Sequence, residues 1–551
     1  MTSYNFGKKK PASKTKNDSK PSSRMTFEIE EEKIEFDISR IENIDPIEEY
    51  ARFQLYNSTQ NLFITGKAGT GKSTLLKEFV DYCRFKKLNV AVVAPTGIAS
   101  INVGGATIHS FFQLNIDNPT ELKKLIPIRK KLIEAVDILI VDEISMVSDL
   151  HFDQMDRRLN QAKFGLNPHN RQFGGVRVVL FGDLFQLGPV NKEGSEVGYF
   201  FESKTFGQMH VMNNIKMLEL NKIWRQDDKQ FIDFLGKVRH GYASEEDLEL
   251  INSKLTNQQP IDIVKKHNIS ILCTLNHQVN RYNSQILSTL DTPVHIFKGK
   301  VNDDFGHFDS LPPIDLELKV GCLVVFVKND MDKRWVNGDF GSVIRFGYKL
   351  TLDRENVESY RYYWDYQNRK DEIRSDMTEL PQRSFRIKEA GYVIEITITR
   401  TNQVVQVEKD IWEKKQYVPI EEAHEEDGEM VFETKIKDRI IGSYQQFPLK
   451  LGYAITTHKS QGMTLSGAII DFSGGSFGSG LLYVALSRVK SLDNLYLTKA
   501  IEPKDILLDP KVIGAYQAMQ QNSGGIMEID KLTILKSYTS QIIIINQCNF
   551  Q

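Results

Sequence analysis

The densest chemistry in this chain lies at 66–73, where GKAGTGKS supplies three glycines, two lysines and a serine in one short turn. Gly66, Gly69 and Gly71 let backbone N–H groups turn inward toward phosphate oxygens at the positive end of a helix, an approach that side chains would block. Lys72 adds a point charge for β- and γ-phosphates, and the Ser73 hydroxyl suits ligation of Mg²⁺. Thr70 and Thr74 complete the set assigned to the nucleotide. NLFIT at 61–65 reads as a short apolar strand, and Leu75, Leu76, Phe79, Val80 and Cys83 make one stripe at helical spacing. Strand, loop and helix together imply a bound nucleoside triphosphate.

Asp142 and Glu143 end the apolar run ILIV, at the edge where α/β sheets place their ligands. Asp142 suits holding Mg²⁺, directly or through its water, and Glu143 suits orienting and deprotonating the water that attacks the γ-phosphate. The next strand ends in GDLFQL at 182–187, followed by the helix-breaking Pro189, and puts Gln186 within reach of the γ-phosphate. Arg225 in LNKIWRQ stands where the second α/β half begins, and Arg488 in YVALSRV near its end. A guanidinium reaching the γ-phosphate from another domain stabilises transition-state charge and makes closure depend on the nucleotide. Short polar runs beside aromatics, at 94–100, 107–112, 274–280 and 456–462, suit a track that grips phosphates of a single strand while an aromatic ring stacks on a base.

These residues need elements to hold them. Short apolar runs at 61–65, 89–95, 137–143 and 177–183 alternate with helical patterns, the signature of a parallel sheet flanked by helices. A second set at 270–275, 467–472 and 494–498 implies a second α/β domain. Between them, from about 317 to 446, alternating strands and an Asn337-Gly338 turn predict a β-rich insertion, whose acidic run at 421–429 reads as a solvated loop or hairpin tip. With 551 residues several domains are expected, and a net charge of -2 confines any nucleic-acid surface to a local groove. Cys83, Cys273, Cys322 and Cys548 have neither metal-ligand nor disulfide spacing and read as reduced residues of an intracellular protein. No apolar stretch reaches membrane-spanning length, so a soluble protein is expected. Residues 1–24 read as a disordered basic tail, with a solvated leader, a nuclear-import signal and a nucleic-acid arm all compatible with its composition. That tail suits a nucleus and the remainder suits a bacterial cytoplasm.

Taken in order, GKAGTGKS, APTGIASINVGGATIHSFF, ILIVDEISMVS, LFGDLFQLGPV, LNKIWRQ, LGYAITTHKSQGMTL and YVALSRVKSLDNLYL resemble the motif ladder of superfamily 1 DNA helicases, most of all the Pif-one and RecD/Dda branch. The resemblance runs from about 52 to 498, excluding much of the insertion. It implies two RecA-like domains of α/β class with a β-rich, SH3-like insertion in the second. The expected division is 25–222 (with a small element near 112–132), 223–316, an insertion over 317–446, 447–505 and a C-terminal extension over 506–551. It further implies ATP and Mg²⁺ around Gly71, Lys72, Ser73, Asp142, Glu143, Gln186, Arg225 and Arg488, and 5′-to-3′ movement of a monomer on single-stranded DNA with unwinding of duplex or forked DNA. Thr96, His109, Phe111, His458, Lys459 and Ser460 fall on motifs that contact the DNA strand in that family. Two points depart from the pattern. Gln54 and Gln60 compete for the adenine-reading position, leaving nucleotide preference open, and YRYYWDYQNRKDE has no family counterpart. An RNA helicase and a nucleotide-gated clamp without unwinding are the alternatives.

Overall fold

The computed structural model describes residues 24–29, 32–37 and 45–522, without 97–98, 101–102, 115–124, 166–170, 190–196, 304, 306–310, 355–356, 382–385, 427–428, 474 and 476–477. Nearly all of the expected basic tail, the middle of the small element near 112–132, Cys548 and the 523–551 part of the C-terminal extension lie outside these residues. Strands β1 (Arg24–Ile29) and β2 (Glu32–Asp37) pair as a separate antiparallel hairpin.

Helix α1 (Pro46–Asn57) starts where the Asp45 carboxylate accepts the Ile47 amide at 3.0 Å, with proline in its first turn. Then follow β3 (Asn61–Gly66), α2 (Lys72–Phe85), β4 (Val90–Ala94), β5 (Ala106–Thr107), α3 (Pro127–Glu134), β6 (Ile138–Val141), α4 (Asp149–Phe164), β7 (Arg177–Phe181) and β8 (Ile215–Leu220). The strands form a wholly parallel sheet in the order β5-β4-β6-β7-β3-β8. Such a sheet is covered on both faces, which is why these strands are continuous apolar runs. Leu62 and Ile64 point into one core with the α2 stripe of Leu75, Leu76, Phe79, Val80 and Cys83, while Phe63 points into the other with Phe152 and Phe200. Because β6, β7 and β3 are neighbours, the loops that leave their carboxyl ends must converge. Strand order reverses around β3, the place where open sheets take their ligands.

The second body comprises α5 (Lys229–His240), β9 (Ser270–Cys273), α6 (Asn276–Ser288), β21 (Ala454–Thr456), β22 (Ala468–Asp471), α7 (Leu481–Leu486) and β23 (Leu495–Leu497). Its strands are again parallel, in the order β21-β9-β22-β23. Among the described residues eleven strands come between β9 and β21: β10 (Val294–Lys298), β11 (Lys300–Asp303), β12 (Asp315–Lys319), β13 (Leu323–Phe326), β14 (Phe340–Arg354), β15 (Val357–Trp364), β16 (Arg386–Ile398), β17 (Val404–Val407), β18 (Asp410–Glu426), β19 (Glu429–Gln446) and β20 (Leu449–Leu451). The order β17-β16-β14-β13 continues into β20 (Leu449–Leu451), with β15 added to the outer part of β14. This unit starts before the expected boundary at 317, because β10 pairs with β12 and β11 with β19. Both early strands are short and largely exposed; β11 is polar, and of Val294, Ile296 and Phe297 in β10 Phe297 alone is buried, so neither makes a continuous apolar run. The root of the insertion shares one hydrophobic core with the second sheet, joining Val324, Phe326 and Ile396 to Ile271, Ile469 and Leu495.

Two segments return to the first body. The β18–β19 hairpin reaches back so that Tyr417 is buried beside Phe111, ring edge to face at 5.6 Å, and its hydroxyl accepts the Val92 amide at 3.2 Å. Asn89 holds the other arm, donating to the Thr434 carbonyl at 3.0 Å and accepting the Ile436 amide at 2.9 Å. The acidic run expected as a loop or tip forms the distal arms of this hairpin, and Glu421 there pairs with Lys131 on α3 at 2.8 Å. Helix α8 (Pro510–Asn522) closes the described chain and buries Val512, Tyr516 and Met519 in the core of the first body. Cys83, Cys273 and Cys322 are free and buried, with burial pushing each thiol up to about 12. Among the described residues no helix is long and apolar enough to cross a membrane.

Candidate active site

The turn after β3 is shaped by glycine. Gly66, Gly69 and Gly71 have φ of 148°, 84° and 84°. A Cβ on Gly66 would stand 2.6 Å from the Leu220 carbonyl oxygen, and one on Gly69 2.6 Å from the Arg225 Cβ. Helix α2 begins directly after Gly71, leaving its first-turn amides and the exposed Ser73 and Thr74 side chains at the mouth of the loop. Thr70 is buried, and its hydroxyl donates to the Lys67 carbonyl at 3.0 Å. Lys72 donates through Nζ to the carbonyls of Gly66 at 2.6 Å and Lys67 at 3.0 Å. Burial holds its pKa down, opposed by the charges of Asp183 and Glu143. An ammonium so placed gains a strong incentive to meet phosphate.

At the end of β6, Asp142 accepts the Glu143 amide at 3.0 Å, and burial pushes its carboxyl up to about 6. Glu143 sits in the left-handed region, with φ 49°, and is pushed up to about 7 by burial and by the neighbouring Asp142. A carboxylate titrating near neutrality is suited to accepting a proton from water. Gln186, in the loop after β7, is buried and donates to Asp183 at 3.2 Å. Gln461 crosses from the second body to bridge them, donating to Glu143 at 3.1 Å and to Gln186 at 3.3 Å.

Both arginines line the same cleft. Arg225 lies against Gly69, and the amide of its neighbour Trp224 donates to the Gly69 carbonyl at 2.9 Å. Its guanidinium donates to Thr464 at 3.0 Å and the Ser487 carbonyl at 3.2 Å, both in the second body. Arg488 is 1 % exposed, donates to the Val484 carbonyl at 2.9 Å and Ser487 at 2.8 Å, and is pushed down to about 9 by burial and by Arg225. Its charge bears on Glu143 across the cleft. The second body also touches the phosphate loop directly, where the Ala68 amide donates to the Tyr483 hydroxyl at 2.9 Å. Lys72, Asp142, Glu143, Gln186, Arg225 and Arg488 are thus gathered at one junction between the two sheets.

The residues expected on the DNA strand are not alike. His458 and Lys459 are exposed, and Lys459 donates to Asn276 at 3.2 Å. Thr96 is half-buried at the end of β4 and accepts the Ala99 amide at 3.2 Å, while half-buried His109 stands edge-on to His151 at 4.6 Å. Phe111 and Ser460 depart from the expectation. Phe111 has 0 % exposure in the first core, covered by Tyr417, and offers no ring face to a base. Ser460 also has 0 % exposure, and its hydroxyl is spent on the Thr457 carbonyl at 2.7 Å. Gln54 and Gln60 lend their backbone carbonyls to Arg177 at 2.9 Å and 3.1 Å.

Sequence reasoning assigned no role at the site to Gln461, Asp183, Tyr483 or Arg239. The first three sit inside motifs quoted for other members. Arg239 left one faint signal, a cation four residues after Leu235 on the apolar stripe of α5.

The model of the PIF1-like helicase family matches residues 47–249. An ATP-dependent DNA helicase Pif1 of a Psychrobacter species is 32% identical over 481 residues, covering 83% of this chain and 68% of that protein. The protein of the same name from Campylobacter jejuni is 29% identical over 465 residues, covering 80% of this chain and 90% of its own. Among solved structures, Bacteroides Pif1 in complex with ADP-AlF4 superposes with a TM-score of 0.66 at 29% identity, over 87% of this chain and 97% of that one. With its phosphate loop, paired carboxylates and cross-cleft arginines in one junction, the chain belongs to the PIF1-like helicase family.

Proposed function

We propose that this protein works as a monomeric motor that moves 5′-to-3′ along single-stranded DNA and separates duplex strands ahead of it. It is an ATP-dependent DNA helicase, as its relatives are named. The observation that carries this reading is Gln461, which ties the carboxylate suited to activating water and the buried Gln186 to the second body. A nucleotide held by Lys72 and the loop amides would face Glu143, Gln186, Arg225 and Arg488 together, so hydrolysis and domain closure become one event.

The exposed Ser73 hydroxyl at the loop mouth and the Asp142 carboxylate, near enough to feel the charge of Lys72, are hard oxygen donors and suit Mg²⁺, which takes few protein ligands. Among the described residues no group of three or more His, Cys, Asp and Glu could hold a metal by itself. Held by Ser73 and Asp142, Mg²⁺ would supply neutralisation of the triphosphate's charge. Lys72 binds and orients the phosphates, Glu143 takes the proton of the attacking water, and the arginines stabilise the charge on the γ-phosphoryl group as its bond to ADP breaks. For the strand itself, exposed His458 and Lys459 remain the better candidates. Within the insertion β13 and the first part of β14 pair antiparallel, which supports an SH3-like root that helps steer the strand.

Breaking one base-pair step costs about 1.4 kcal/mol, so a small forward bias per ATP suffices if one grip holds. Tailed duplexes of DNA and RNA, each with a 5′ or a 3′ single-stranded arm, test the reading with ATP and then GTP as fuel. Unwinding of 5′-tailed DNA alone is expected. Unwinding confined to 3′ tails would reverse the polarity, and nucleotide-dependent retention of the strand without separation would mark a clamp.

A further inference from the structure

Asp183 and Arg239 form an ion pair at 2.9 Å whose two side chains are both 0 % exposed. The pair joins the two bodies, since Asp183 follows β7 and Arg239 ends α5, whose apolar face packs in the core of the second sheet. Every edge of the guanidinium is engaged. Nε and Nη2 both donate to Asp183 Oδ1, at 3.2 Å and 2.9 Å, and Nη1 donates to Glu219 at 3.0 Å. The ring of Phe185 lies 4.5 Å from the guanidinium carbon and that of Tyr516, from α8, 5.9 Å. Tyr516 in turn hydrogen-bonds Glu219. A buried pair of this kind gains little stability over apolar side chains of the same size, so its value lies in what it orients.

What it orients is the carboxylate of Asp183. With Oδ1 occupied by the fork of Arg239 and the Phe185 amide at 3.2 Å, Oδ2 is turned to accept Gln186 Nε2 at 3.2 Å. The opposite end of that carboxamide accepts Gln461. We propose that Arg239 is a positioning residue for ATP hydrolysis: through Asp183 it fixes the Gln186 carboxamide toward the γ-phosphate and, being carried by the second body, makes that alignment depend on closure. This rests on the reading of Gln186 as the group that contacts the γ-phosphate.

Arg239→Lys keeps the charge and removes the planar fork that holds Asp183 and Glu219 at once. The test is steady-state DNA-stimulated ATPase of the full chain, comparing Arg239→Lys in the native and Gln186→Ala backgrounds. In the native background kcat should fall about 30-fold with KM for ATP within about threefold, and in Gln186→Ala the further fall should be under about threefold. Equal falls in both backgrounds, a change confined to KM, or native kcat in Arg239→Lys would overturn the proposal while leaving Gln186 its role. Native kcat in Gln186→Ala alone would overturn both. If Arg239→Lys does not fold, Asp183→Asn, which preserves side-chain volume, passes through the same cycle with the same criteria.

Discussion

Replacing Lys72 with alanine is expected to abolish DNA-stimulated ATP hydrolysis, a loss of about 10³-fold or more, while single-strand binding stays largely intact. The ammonium lies inside the phosphate turn and donates to the carbonyls of Gly66 and Lys67, contacts a phosphate oxygen readily replaces. Its neighbours Asp183 and Glu143 are acidic, so truncation also turns the local field against a triphosphate. The exposed residues suited to gripping a strand, His458 and Lys459, lie in the second body and are untouched. Phosphate release and oligonucleotide binding measured on one preparation check both halves. Retained hydrolysis would count decisively against this site.

Glu143→Gln should lower kcat by about 10²- to 10⁴-fold and leave ATP binding near native, because the amide preserves shape but cannot take a proton. The carbonyl oxygen of the new side chain can still accept from Gln461, so the bridge between the bodies survives. The expected behaviour is a protein that binds ATP and single-stranded DNA and turns over very slowly. Single-turnover hydrolysis, with nucleotide binding followed separately, reads this directly. A kcat within about threefold of native would show that some other group activates the water.

Local chemistry was legible in the amino-acid sequence wherever a few adjacent residues had to satisfy one local demand. The phosphate turn is such a case, since a strand, three glycines at positive φ and an amphipathic helix all follow one another. The parallel sheets were legible for the same reason, because a strand buried on both faces must be apolar throughout. Contacts that join distant segments left no comparable trace. Gln461 and Glu143 are 318 residues apart, and nothing in either neighbourhood announces that a carboxamide will bridge the cleft. The return of Tyr417 to cover Phe111 depends on the length and twist of the β18–β19 hairpin, so an aromatic that suited base stacking became a core residue. Strands β10 and β11 escaped notice because they are short and mostly exposed, with Phe297 the one residue of either that is buried.

The central claim is that one triphosphate is sandwiched between the two bodies, so that turnover requires both. Phosphate release with and without a single-stranded oligonucleotide, compared between the native chain and Arg488→Ala, tests it most directly. Arg488 lies in the second body and its charge reaches Glu143 in the first, so its removal takes a cation from the cleft while Lys72 and the loop amides that hold the nucleotide stay in place. The expected result is strong acceleration by the oligonucleotide in the native chain and loss of about 10³-fold in the accelerated rate of Arg488→Ala. Acceleration of equal size in both proteins would contradict it.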